Sequence, residues 1–139
     1  ANAFLDGRLS RFEYYCNDLL QIHRQQNIRS VETYHHQDAP MVSLYLAGLQ
    51  PELYVLYPGL EAFAGFCRAI GSPDIPKVDD LLRYMKVVSI VHTYLQRDAS
   101  YLDLIRVRDA SLHKIPMLPF QMTYEVIRYA GMDFKPDSE

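Results

Sequence analysis

Apolar residues recur along most of this chain at spacings of three and four, the period of an amphipathic helix. A first helix is predicted from the capping box Ser10-Arg11-Phe12-Glu13, in which hydroxyl and carboxylate each satisfy the other's end of the first turn. Its apolar face would carry Phe12, Tyr15, Cys16, Leu19 and His23. A second helix fits residues 39–46, with Pro40 tolerated in the first turn and Gly48 placed to act as a left-handed stop. After the Pro58-Gly59 break, Leu60, Phe63, Ala64, Cys67 and Ile70 line a third, ended by Gly71-Ser72-Pro73.

The longest helical pattern runs over 77–96. Val78, Leu81, Leu82, Met85, Val88, His92 and Leu95 form one apolar stripe, and Val87, Ile90, Val91 and Tyr94 form another beside it. A helix apolar on most sides needs neighbours on most sides, so its second half is placed at the centre of a bundle, with the charged first half toward solvent. Arg97-Asp98-Ala99-Ser100 returns as Arg108-Asp109-Ala110-Ser111, a short echo best read as repeated capping, since Ser100-x-x-Asp103 resembles another helix start. Helices should follow over 101–112 and, beyond Pro116 and Pro119, along Met122, Val126, Ile127 and Ala130 to Gly131. Residues 41–46 and 53–57 alternate weakly, but no Asn-Gly or Asp-Gly turn joins them as a hairpin. The expectation is all-α: a compact bundle of five to seven helices around a central buried helix at about 78–96, one domain over 1–134 and a flexible tail over 135–139.

Composition narrows the possible functions. A chain of 139 residues with 49% apolar and 22% charged residues can bury a core without metals or disulfides as props. A net charge of −3 with scattered basic residues argues against nucleic-acid binding. The longest uncharged apolar run, 87–95, is half of what a bilayer crossing requires, so membrane insertion is not expected. Cys16 and Cys67 have no Cys-x-x-Cys spacing and fall on apolar faces, as buried reduced thiols do. These thiols and the absence of a visible signal pattern point to a cytoplasmic setting. The opening Ala1-Asn2-Ala3 suggests a piece excised from a longer protein or assembly.

Candidate chemistry is sparse. Tyr34-His35-His36-Gln37-Asp38 gathers potential metal ligands, yet adjacent histidines diverge, and neither His-x3-His nor His-Glu-x2-His spacing occurs. The stretch departs from the HD phosphohydrolase signature because Gln37 separates His36 from Asp38. The simpler expectation is that Asp38 caps the second helix. His23 and His92 lie on apolar faces, and Ser89 and Thr93 stand within a turn of His92. A small enzyme or cofactor-binding bundle would use His92, or the His35/His36/Asp38 group, against another polar residue. No nucleophile elbow or phosphate loop is present, and no cofactor or metal is expected.

Tyrosine stands out, with eleven residues and no tryptophan. Tyrosine combines a rigid apolar body with a polar tip that tolerates water, which suits interfaces. Leu53, Tyr54, Leu56 and Tyr57 therefore form the expected partner-binding patch, with Tyr101 and Arg108 on a second surface. The expected function is a non-enzymatic protein-protein interaction or scaffolding module, engaging a protein partner or associating with itself.

Overall fold

A computed structural model describes residues 2–26, 38–111 and 118–132. His35, His36, His113 and the tail lie outside the described residues. The fold is an all-α bundle. Among the described residues it has six helices: α1 Asn2–Gln26, α2 Ala39–Leu49, α3 Leu60–Ala69, α4 Leu81–Leu95, α5 Ala99–Ser111 and α6 Gln121–Met132.

Aspartates set three of the helix starts. The Asp38, Asp80 and Asp98 carboxylates accept from the N–H groups of Met41 (3.2 Å), Arg83 (2.9 Å) and Tyr101 (2.8 Å), each supplying a partner for an orphan first-turn donor. Two expected starts are corrected accordingly. Ser10 lies inside α1, which already runs from Asn2, because the residues before it propagate the helix. Ser100 lies one residue inside α5; Asp98 is the cap, and Asp103 instead pairs with Arg106 at 3.0 Å.

Glycine use divides in the same way. Gly71 ends α3 as expected, with φ of 69°, its N–H donating to the Arg68 carbonyl and the Ser72 N–H to that of Cys67. Gly48 and Gly131, expected as stops, both lie within helices. Gly131 instead permits contact between backbones. A methyl on Gly65 would strike the Gly131 carbonyl, whose carbon would be 2.9 Å away, and a methyl on Gly131 would strike the Ala62 carbonyl, at 2.8 Å from its carbon. α3 and α6 thus cross with no side chain between them, which brings Ile127 fully into the core.

The core is built on α3, where Ala62, Phe63, Ala64, Phe66 and Cys67 are all buried. Phe63, Tyr84 and Tyr57 pack edge to face with centroids 5.0–6.2 Å apart. In α4 burial falls on Leu81, Tyr84, Met85 and Val88, whereas Ile90, Thr93 and Tyr94 in its second half are exposed. The expected placement of the second half at the centre is therefore corrected in part: Val88 is buried and Val87 and Val91 pack on the core, but the opposite face is open. Two apolar stripes run along this helix, and only the face bearing Leu81, Tyr84, Met85 and Val88 finds full cover. Asp80 also caps α4 after Pro76, so Val78 lies outside the helix and is exposed.

Candidate functional site

The segment 50–57, in which 51–57 was expected to be an exposed tyrosine patch, is held down by four helices and partly sunk. Arg8 on α1 donates to Gln50 Oε1 (2.7 Å) and to the Tyr54 hydroxyl (3.0 Å). The Ser43 hydroxyl on α2, itself fully buried, donates to the Pro40 carbonyl (2.7 Å) and accepts from the Tyr57 N–H (2.9 Å). Tyr84 on α4 donates to the Leu56 carbonyl at 2.8 Å, while Tyr57 packs on Phe63 of α3. These bonds give partners to backbone groups that an irregular buried segment would otherwise leave unsatisfied.

In consequence Tyr54 and Tyr57 are only 7% and 5% exposed, which corrects the expectation of an exposed tyrosine patch. Leu53 and Leu56 do face solvent, Leu53 at 61%. Tyr57 Oη is buried and makes no hydrogen bond of normal geometry; burial first, and then the nearby Asp79 carboxylate, as acceptor and as charge, with Asp80 behind it, push its phenol up.

One face of the same segment walls a cavity of about 230 Å³. Pro51, Tyr54, Val55 and Leu56 form one side with Ala47 of α2; Leu118, Phe120, Gln121, Tyr124 and Glu125 form the other. Leu56, Leu118 and Glu125 are exposed at its edge, and the interior is predominantly apolar. The residues from 118 onward were not anticipated from the sequence. Phe120 with Tyr124 and Gln121 with Glu125 are i,i+4 pairs, so an apolar stripe runs beside a polar one at the start of α6. That boundary is the available signal.

His92 has a structural role. Its Nδ1 lies 3.0 Å from the hydroxyl of the fully buried Thr123, and its ring packs edge-on against Phe120 at 4.9 Å. Desolvation holds its pKa below the ordinary 6.5. Tyr101, expected on a surface, is buried; burial pushes its phenol up and a hydrogen bond with Thr123 partly offsets that. His92, Thr123 and Tyr101 therefore tie α4, α6 and α5 together. The expected polar neighbours point elsewhere: Ser89 and Thr93 donate back to the carbonyls of Met85 and Ser89 within α4. His23, expected on an apolar face of α1, is exposed, because that face is uncovered beyond Leu20.

Arg108 is half-buried and lies 3.6 Å from Asp109, with its Nη1 buried and without a hydrogen bond. Asp38 is exposed and acts as the α2 cap, the role expected of it. Cys67 is buried with its thiol pushed up by desolvation, while Cys16 is half-buried; both are free.

Among the described residues no three His, Cys, Asp or Glu side chains are placed to share a metal ion, and no helix is long and apolar enough to cross a membrane. Comparison with protein families, characterised proteins and solved structures finds no match to this chain.

Proposed function

We propose that this chain is a helical protein-protein interaction module whose cavity between segment 50–57 and the start of α6 receives an apolar anchor side chain from a protein partner. The observation that carries this is the cavity itself, bounded by a segment that four helices hold in place. An enclosed apolar space of about 150 Å³ already accommodates benzene, so 230 Å³ has room for a leucine or phenylalanine side chain. Binding energy at interfaces concentrates where such a group fills a desolvated pocket ringed by groups that exclude water. Here Leu56 and Leu118 supply the ring, and Glu125 favours a basic residue beside the anchor.

Binding is favoured over catalysis because the best-placed titratable group, His92, engages Thr123 and Phe120 instead of a group poised for proton transfer. The test is selection from a displayed peptide library on the whole chain, followed by Ala47→Trp, which fills the cavity, and Glu125→Lys. Enriched peptides should share an apolar anchor with a nearby Lys or Arg, lose binding to the first variant and lose their basic preference on the second. Failure to enrich any peptide, or undiminished binding to folded Ala47→Trp, would remove the proposal.

A further inference from the structure

On the opposite side of α2 from the cavity lies a second apolar surface. The α1 helix is 25 residues long, roughly 38 Å at 1.5 Å per residue, yet from residue 17 to 26 only Leu20 is even half-buried. Its described attachments near the N-terminal half include the Arg8 bonds to Gln50 and Tyr54 and the Phe12–Tyr45 ring contact at 6.1 Å. Helices draw most of their stability from packing an amphipathic face, and this one leaves that face largely bare.

Between α1 and α2 runs an open groove lined by Phe12, Cys16 and Leu19 on one side and Leu44, Tyr45 and Leu49 on the other. Gly48 keeps its floor open, since nothing lies within 4 Å of where a Cβ would stand. We infer that this face seats a second copy of the chain, the two α1 helices crossing antiparallel about a two-fold axis between Tyr14 and Tyr15.

Area, shape and charge each point to that occupant. Tyr15 (60%), Leu19 (65%), Leu49 (80%), Ile22, Leu44 and Tyr45 are all substantially exposed here. At roughly 150–200 Å² per large residue they offer about 500–650 Å² of mostly apolar surface, the larger part of the ~800 Å² per partner in a standard interface. The face also carries both halves of a fit, the Tyr15, Leu19 and Ile22 ridge and the groove beside it. A two-fold axis uses both halves twice, which is the condition for an isologous dimer.

Arg11 and Asp18 are exposed and flank the Tyr15 and Ile22 edge of α1 by helical spacing. An antiparallel crossing between Tyr14 and Tyr15 sets Arg11 of each copy opposite Asp18 of the other, giving two symmetric ion pairs. It also lays Leu19 over the Phe12 end of the second copy's groove. This surface is separate from the cavity and does not depend on the cavity having a ligand.

The test is sedimentation equilibrium of the whole chain across the micromolar range, with circular dichroism to verify folding. The wild type should dimerise. Leu19→Glu should weaken dimerisation by at least about tenfold, and Arg11→Glu by several-fold. The double variant Arg11→Glu/Asp18→Arg should recover what the single charge reversal loses. Glu125→Lys, on the other surface, should leave the mass unchanged, so loss of peptide binding and loss of the dimer are read independently. A monomer throughout overturns the inference, as does a dimer indifferent to Leu19→Glu or a charge exchange that restores nothing.

Discussion

Replacing Gly65 with alanine should damage this protein, although alanine is by itself the better helix former. In an open helix interior the exchange would stabilise by about 1 kcal/mol, through the smaller entropy lost on folding. At Gly65 the added methyl would meet the Gly131 carbonyl of α6, with its carbon at 2.9 Å and its Cα at 3.1 Å. Both obstacles belong to helix backbone, so relief requires α3 and α6 to separate, and that loosens packing around Phe63, Phe66 and Ile127. Overpacking a core costs about 1–3 kcal/mol and more where nothing can yield. Set against the propensity gain, and with only backbone to yield, the net loss should be about 1–2 kcal/mol, which at about 4 °C per kcal/mol for a domain of this size lowers Tm by about 4–8 °C.

Gly48→Ala is the internal control. Gly48 lies in a helix with no atom near the new methyl, so that variant should gain up to about 1 kcal/mol. Urea and thermal melts followed by circular dichroism measure both. A Gly65→Ala protein as stable as the wild type would refute the close crossing of α3 and α6.

Two tyrosine hydroxyls should differ in weight. Tyr57→Phe removes a buried hydroxyl with no well-formed hydrogen bond and should change stability by no more than about 0.5 kcal/mol, whereas Tyr84→Phe strands the Leu56 carbonyl and should cost about 1–2 kcal/mol; equal losses in urea midpoint would contradict this. The pKa of His92 is depressed in the folded state, so the unfolded chain binds more protons as pH falls. Its stabilising contribution is full above about pH 6.5 and declines as pH drops through the folded value. Melts between pH 8 and pH 5 should show a shallower loss for His92→Gln than for the wild type, and parallel curves would show that His92 is not the group responsible.

Some features decided by local chemistry were legible in the sequence, although Asp98 was passed over as the α5 cap. The Asp38 cap, the Gly71 stop and the helical period needed only neighbouring residues, and each stands in the structure. Tyr54 and Tyr57 were misplaced because their burial is set at a distance, by Ser43 from α2, Tyr84 from α4 and Phe63 from α3. His92 offered Ser89 and Thr93 as nearby partners, yet it meets Thr123, which is 31 residues away. Gly131 looked like a stop because a glycine near the end of a helix usually is one; only the path of α3 reveals the other use. The cavity combined both kinds of information: its wall at 51–56 lies in the segment singled out by composition, while Phe120 and Tyr124 meet it only through the fold.

Whether the cavity beside segment 50–57 takes a partner's side chain is read by a nitrogen-15 NMR titration of the whole chain with a library-selected peptide. The amides of Ala47, Val55, Leu56, Gln121 and Glu125 should move together and saturate at one ratio. Shifts gathered elsewhere, with those five unmoved while the peptide binds, would contradict it.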